Sequence, residues 1–504
     1  MPYTQVADAP RFIWRGVLLD VGRHFFPLPW VLKLLDLMAL YKMNRFHWHL
    51  TEDQGWRLEV PSLPRLAEVG SVRGTPPSII PLPSHNSSSS SSATTASQQD
   101  DSSQQQQQQQ EQMQEDPQQQ QQQDADEQAA ADAEQQQQQR EGTPPADAAA
   151  AAAAAASICR RAVPTAAAYH GGYYSSADVA AVVAYAAERG IEVVPEIELP
   201  GHCCAALAAY PNLSCTGEVT AVSTHWGIHE DVYCAGNDDV FSFLGSIFDQ
   251  AAAQFPCRYV HIGGDEVPKA RWQACAKCQE RMRQEGLANE AELQSWFVRK
   301  VSGMLAARGR QLIGWDEILE GGLAEGATVM SWRGNVGGII AAKSGHDVIM
   351  TPTSHCYFDY RQAPSACEPG AWYACLPLHV VYQYDPIPSP WPDAATAAPA
   401  PAAAAAAADG AAAAAAAAGS SSSSRAAAQM LSEDEAAHIL GSQANLWCEY
   451  VQDEDTAEYM LLPRLAALAE SVWTPVAVKD WGRFRSRLQQ HLPLLQEMGY
   501  KYRP

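Results

Sequence analysis

Asp265 and Glu266 stand side by side at the end of the segment His261-Ile-Gly-Gly-Asp-Glu266. Paired carboxyl groups are the working parts of glycoside hydrolysis, one protonating the leaving oxygen and the other serving as base or nucleophile. A standard retaining pair, about 5 to 5.5 Å apart, comes from two different strands, whereas neighbours at one strand end point in different directions. The adjacent pair suits a substrate-assisted reaction instead, in which the 2-acetamido oxygen of the sugar attacks the anomeric carbon. Glu266 would then protonate the leaving group and later activate water. Asp265 would accept the acetamido N–H and stabilise the cationic intermediate. Tryptophans stand beside or near acids farther along, at Trp315-Asp-Glu317, Trp332 and Trp447-Cys-Glu449. Indole faces stack on the apolar faces of a pyranose, and carboxylates accept hydrogen bonds from its hydroxyls.

Residues this far apart need a scaffold that brings them together. Short apolar or β-branched runs alternate with amphipathic helical stretches, the pattern of βα units around a parallel sheet. The expected strands are Gly16–Asp20, Asn44–Leu50, Glu192–Ile197, Tyr259–Gly263, Gln311–Trp315, Thr328–Trp332, Asp347–Met350 and Ile439–Ala444. The expected helices are Leu28–Tyr41, Ser176–Arg189, Asp238–Gln254, Ala288–Arg308, Val336–Ser344 and Tyr459–Val472. Polar and aromatic residues follow directly on the strands: His47, His49, Glu52 and Asp53, then Glu196, Glu198 and His202, then Asp265 and Glu266, and so on to Trp447 and Glu449. In a closed (β/α)8 TIM barrel of the α/β class, those strand ends converge on the face where barrel enzymes carry their chemistry. Of His47 and His49, at most one is expected to face the mouth, both serving as core or scaffold. Glu196 and Glu198 read as hydrogen-bonded structural carboxylates.

The chain has 504 residues, but from Ser84 to Ser157 almost everything is Ser, Gln, Ala, Asp or Glu. From Ala394 to Ala428, inside an insertion spanning 391–430, almost everything is Ala or Ser. Neither stretch has the large apolar residues a core requires, so both read as disordered loop insertions. Loop-closure entropy grows only logarithmically with length, which lets one domain, 1–504, carry them. The remaining residues, roughly 395, approach the upper size of one barrel. The first tract holds twelve acids against Arg140 alone, so it supplies −11 of the net charge of −23. An acidic chain without a Lys/Arg stripe lacks the footprint of a nucleic-acid binder. No run of large apolar residues is long enough for a membrane span, and residues 1–10 do not form a signal peptide. Cys275-Ala-Lys-Cys278 reads as a structural pair, a local staple, because no second pair accompanies it in sequence.

Six ordered motifs together resemble the β-N-acetylhexosaminidases of glycoside hydrolase family 20. They are Arg15-Gly-Val-Leu-Leu-Asp-Val-Gly-Arg-His-Phe25, His47-Trp-His-Leu-Thr-Glu-Asp-Gln-Gly-Trp56, Pro195-Glu-Ile-Glu-Leu-Pro-Gly-His202, His261-Ile-Gly-Gly-Asp-Glu266, Gly314-Trp-Asp-Glu317 and Leu446-Trp-Cys-Glu449. The resemblance implies an exo-acting retaining glycosidase that removes terminal β-linked N-acetylglucosamine or N-acetylgalactosamine. It implies that Arg23 binds O3 and O4 of the sugar, that Glu449 and Asp359 hold O4 and O6, and that Tyr357 donates to the acetamido oxygen. Trp315, Trp332 and Trp447 would wall the acetamido methyl and the sugar face, and His202 would contact Glu266. No cofactor or catalytic metal is expected. The expected partners are N-acetylhexosamine-terminated glycans, glycoconjugates or chitooligosaccharides, with a homodimer among the open oligomeric states. A secreted, lysosomal or vacuolar setting is expected by the same resemblance. Two departures stand out: position 52, usually Asp, is Glu52, and the α+β domain that usually precedes the barrel is expected to be absent. Alternatives are a related barrel hydrolase of chitin-type or lacto-N-biose-type substrates, and a catalytically impaired sugar-binding protein.

Overall fold

The pleat of the first strand, β1 (Trp14–Asp20), sorts its side chains into two separate cores. Successive residues of a strand face opposite sides. Val17 and Leu19 join the large apolar layer between strands and helices, whereas Trp14 and Leu18 join a smaller cluster with Val194, Ile313, Trp315, Met330, Ile349 and Leu440. That second cluster comes from six strands and fills the inside of a barrel, the packed interior that a closed eight-stranded sheet requires. The computed structural model describes residues 8–74, 169–219, 221–365, 367–388 and 431–504. Both low-complexity insertions, 84–157 and 391–430, lie outside the described residues.

The other strands are β2 (Arg45–His49), β3 (Glu192–Glu196), β4 (Tyr259–His261), β5 (Gln311–Trp315), β6 (Thr328–Ser331), β7 (Val348–Met350) and β8 (Ile439–Leu446). All pair in parallel in chain order, and β8 closes back on β1. All eight expected strands are therefore present, with no end moved by more than two residues. The fourth stops at His261 because Gly263 and Gly264 turn the chain with φ of 65° and 91°, a region that only glycine enters freely.

Outer helices include α1 (Leu28–Leu40), α2 (Ser176–Ala187), α3 (Asp238–Gln254), α4 (Ala270–Ala274), α5 (Ala276–Glu285), α6 (Glu290–Ala306), α7 (Val336–Lys343), α8 (Glu454–Leu461), α9 (Arg464–Trp473) and α10 (Trp481–Glu497). Their starts are chemically marked. Ser175 and Asp178 form a capping box at α2, and Asn237, Asn289, Asp453 and Asp480 accept backbone N–H groups at α3, α6, α8 and α10. Each such cap satisfies donors that the first helical turn leaves open. The single helix expected over Tyr459–Val472 is instead two, α8 and α9. Pro463 has no N–H to donate and its ring excludes the preceding turn, so Leu462 becomes extended, with φ −107° and ψ 136°. Among the described residues, no helix is long and apolar enough to cross a membrane.

Inside the barrel, packing is close enough to forbid a side chain at Gly16. A Cβ there would lie 2.7 Å from Gln443 Cβ and 2.9 Å from Trp14 Nε1. Gly16→Val is expected to overpack this layer at a cost of about 1–3 kcal/mol. The apparent Tm should fall by several degrees in a thermal melt, and an unchanged Tm would show that the interior has room to spare.

Candidate active site

The C-terminal ends of the strands gather a set of acids whose charge depends on depth. Glu196, at the end of β3, is fully buried among three imidazoles. Its Oε2 lies 2.6 Å from His49 Nδ1 and 2.9 Å from His47 Nε2, and its Oε1 lies 2.7 Å from His261 Nδ1. Trp315 Nε1 also donates to it at 3.1 Å. Burial opposes its charge, but His261, His49 and His47 together hold the carboxyl well below the usual range. The expectation that only one of His47 and His49 could face inward is overturned. Residues two apart in a strand share a face, and both imidazoles reach the same carboxylate. They differ in charge: burial pushes His47 down to about 4, while Glu196 and Glu52 outweigh burial at His49 and raise it to about 10.

Glu52 is the next node. It is fully buried, and its carboxylate lies 3.1 Å from His49 Nε2, 3.2 Å from an Arg23 guanidinium nitrogen and 2.9 Å from His202 Nδ1. It also accepts the Asp53 backbone N–H at 2.9 Å. Burial would neutralise it, yet Arg23 and His202 keep it ionised, well below the ordinary carboxylate value. The longer arm of Glu therefore still reaches His202. Asp53, which carried no assigned role in the sequence, lies beside it at 3.1 Å from His202 Nδ1.

His202 connects this buried network to the adjacent pair. Its Nε2 lies 3.5 Å from Glu266 Oε2 and 3.8 Å from Asp265 Oδ2. Burial opposes protonation, but Glu52, Asp53 and Glu266 raise its pKa well above the ordinary value, so it is an imidazolium. Both His202 and Glu266 adopt left-handed backbone, with φ of 48° and 49°. Such conformations are costly for residues with a Cβ and concentrate at functional positions. Gly263, just before the pair, cannot be replaced: a Cβ would fall 1.6 Å from Glu198 Oε2. Asp265 is pushed up to about 7 by burial and by Glu266 and Glu196, with His202 opposing. Its Oδ1 is buried without a hydrogen-bond partner.

Around the pair stand the aromatic residues. Trp315 and Trp447 have ring centroids 5.7 Å apart, Tyr357 lies 6.2 Å from Trp447, and Trp332 stacks on Tyr357 at 6.2 Å. Trp315 is buried, whereas Trp332 and Trp447 are half-buried. Glu317, also without an assigned role in the sequence, accepts from Trp332 Nε1 at 2.9 Å and fixes that indole. Burial and Asp316 push the Glu317 carboxyl well above its ordinary value, with Arg333 opposing. On the other side, Arg23 lies 3.4 Å from Asp20 and 3.9 Å from Glu449, with its guanidinium carbon 5.2 Å from the Trp447 ring centroid. Asp359 is buried, and its Oδ1 has no partner. Burial and Glu449 push it well above its ordinary value.

Two buried arginines that sequence gave no means of finding hold the strand-end loops. Arg464 donates to the carbonyls of Phe358, Tyr360 and Leu376 at 2.6, 2.9 and 3.0 Å, tying down the loop of Tyr357 and Asp359. Arg57 donates to Val21, Gly22 and Ser71 at 2.8, 2.9 and 2.6 Å, beside Arg23. The Cys275–Cys278 pair also has company: Cys215 and Cys234 lie against it, so the reading of a lone pair is corrected.

The profile of glycosyl hydrolase family 20, catalytic domain, matches residues 12–476. The chain is 37% identical over 503 residues to a β-hexosaminidase of Porphyromonas gingivalis, matching all of this chain and 48% of that protein. It is 30% identical over 475 residues to a β-hexosaminidase of Vibrio furnissii, matching 94% of this chain and 58% of the relative. It thus spans about half the length of these curated relatives. Among solved structures, the GH20 exo-β-N-acetylglucosaminidase of Vibrio harveyi in complex with N-acetylglucosamine superposes with a TM-score of 0.67 at 30% identity, covering 99% of this chain and 60% of that one.

The upward shift at Asp265 makes a stability prediction with a definite sign. Between its ordinary value of 3.8 and about 7, the folded protein keeps a proton that the unfolded chain has lost, so this group's contribution falls as pH rises through that window. Above it the whole cost of the buried charge remains. Asp265→Asn cannot ionise and should be more stable than the parent at about pH 8, by roughly 1–2 kcal/mol. The gain should vanish toward about pH 4. Thermal melts of both proteins across that range check it, and a variant no more stable than the parent at the alkaline end sinks the idea.

Proposed function

Because the chain belongs to glycoside hydrolase family 20, we propose that it is an exo-acting retaining β-N-acetylhexosaminidase that removes terminal β-linked N-acetylglucosamine or N-acetylgalactosamine by substrate-assisted catalysis. The observation that carries the reading is Asp265, whose buried Oδ1 has no partner within the protein. A substrate N–H is the kind of donor that such an oxygen requires. The N-acetylglucosamine complex of the V. harveyi relative supports the same substrate class.

In the first step Glu266 gives its proton to the glycosidic oxygen, the bond from that oxygen to C1 breaks, and the acetamido oxygen bonds to C1. Asp265 accepts the acetamido N–H and stabilises the resulting oxazolinium cation. Tyr357 donates to the acetamido oxygen and aims it, while Trp315, Trp332 and Trp447 enclose the methyl group. The His202 imidazolium, 3.5 Å from Glu266, stabilises the carboxylate left after proton transfer. In the second step Glu266 takes a proton from water as the water attacks C1, which opens the ring of the intermediate. Two inversions at C1 give net retention. Arg23 holds O3 and O4, and Glu449 and Asp359 hold O4 and O6, which restricts the site to a chain end. N-acetylhexosamine-terminated glycans, glycoconjugates and chitooligosaccharides are the substrate class.

Release of a chromophore from β-N-acetylglucosaminide, β-N-acetylgalactosaminide and unacetylated β-glucoside tests this. Both acetylated substrates should be cleaved and the glucoside left intact; equal turnover of the glucoside would rule out acetamido participation. Asp265→Asn should lower kcat on the acetylated substrates by about 10²- to 10³-fold, and Glu266→Gln by about 10²- to 10⁴-fold, least with the best leaving group. At position 52, Glu already reaches Arg23, His49 and His202, so Glu52→Asp should lower kcat/KM by about ten- to a hundredfold. A gain in activity on that substitution would instead mark Glu52 as a defect.

A further inference from the structure

Away from the sugar-facing groups, four cysteines that the proposed reaction does not use converge on one point. Cys215 follows the short turn Pro211–Leu213, and Cys234 precedes α3; both belong to the long segment after β3 that also carries His202. Cys275 is the N-cap residue of α5 and Cys278 lies in its first turn, in the segment after β4 that carries Asp265 and Glu266. The four sulfurs all lie within 4.8 Å of one another. Cys215 Sγ is 3.8 Å from Cys278 Sγ, and Cys234 Sγ is 3.8 Å from Cys275 Sγ and 3.6 Å from Cys278 Sγ. Cys234 and Cys278 are buried, and the other two are half-buried.

These separations have a specific geometric meaning. Four thiolates bound to one zinc ion at about 2.3 Å form a tetrahedron whose edges are about 3.8 Å. Two disulfides would instead draw the sulfurs into two short pairs, with no reason for four to share one centre. Cys275 and Cys278 sit at the start of α5, where the helix dipole and open N–H groups stabilise negative charge. A side chain at Gly236 is excluded, because its Cβ would fall 2.2 Å from the carbonyl oxygen of Lys277. No carboxylate or imidazole belongs to the cluster. An all-sulfur tetrahedral set selects a soft or borderline ion, zinc foremost, over magnesium or calcium.

We propose that Cys215, Cys234, Cys275 and Cys278 form a closed tetrathiolate zinc site that fastens the segment after β3 to the helices after β4. With all four positions filled by protein, the ion has no open coordination position and does no chemistry. Its effect is positional. The Tyr233 backbone N–H, next to Cys234, donates to Pro200 at 2.9 Å, and Tyr233 accepts from Trp272 Nε1 of α4 at 2.9 Å. His202 follows Pro200 by two residues and α4 follows Glu266 by four, so the clamp joins the two segments whose side chains meet at the 3.5 Å contact.

The test is metal analysis of the full chain, purified without chelator from zinc-supplied cells. About one equivalent of zinc per chain is expected, falling below about a tenth in Cys278→Ser and in Cys215→Ser, while Cys375→Ser, at an exposed thiol outside the cluster, keeps it. Should the cluster variants not fold, the unaltered chain grown with cobalt decides. A tetrathiolate site gives a sulfur-to-cobalt charge-transfer band in the near ultraviolet and strong visible d–d bands. Absence of stoichiometric zinc, zinc retained in both cluster variants, or recovery of the four cysteines as disulfide-linked peptides after alkylation without reductant would overturn the assignment.

Discussion

A fully buried carboxylate at position 52 must keep its charge, and much of the mouth is arranged so that it can. Taking an isolated carboxylate out of water costs several kcal/mol even after relaxation, so Glu52 survives as an anion only because Arg23, His49 and His202 close on it from three sides. Each of those cations then has a second task. Arg23 presents its remaining face toward Glu449 and Trp447, His49 passes the charge pattern down to Glu196, and His202 turns its other nitrogen to Asp265 and Glu266. Removing one partner would leave a buried charge uncompensated, which is far more costly than the pair is stabilising. The network is therefore a device for rigid orientation, and the left-handed backbone of His202 and Glu266 is strain that only such an over-determined setting can hold.

Orientation also has to survive at the loops, since Arg23, Tyr357 and Asp359 lie beyond the strand ends. Arg57 and Arg464 supply it without any carboxylate in direct contact. Each is fully buried and donates to carbonyls of two or more separate segments. Burial lowers both guanidinium groups to about 9, with Asp20 opposing at Arg57 and Asp359 at Arg464, so both stay charged near neutrality. Guanidinium suits this task because its five donors are fixed in one plane, and a lysine could not reproduce it.

The barrel was legible because its signal is periodic and local: each strand is a short apolar run, and the pleat sends alternate residues to two cores. Interruptions by proline are also local, yet Pro463 sits inside a pattern of helical spacing that continues on both sides, so two helices read as one. The catalytic-type acids and tryptophans could be located by their position directly after strands. Arg57 and Arg464 could not, because their partners are backbone carbonyls, which carry no sequence identity. Cys215 and Cys234 were equally hidden: they lie 60 and 41 residues before Cys275, and only the folding of one βα segment against the next makes the second pair visible. His47 and His49 differ in kind, since their shared face follows from strand period alone once both are placed in β2.

The acids at the mouth divide into two electrostatic groups, and the division bears on how a substrate would be bound. Glu52 and Glu196 are depressed by the cations around them. Asp265, Glu317, Asp359, Glu449 and Glu198 are all raised, chiefly by burial. A raised carboxyl lacks enough donors from the protein to stabilise its anion. For Asp265 and Asp359, each with an unpartnered oxygen, a sugar amide or hydroxyl would supply the missing donor, and with it the favoured ionised form. Substrate binding under the proposed reaction would thus complete the ionisation of Asp265, so its negative charge would be established where and when the oxazolinium charge develops.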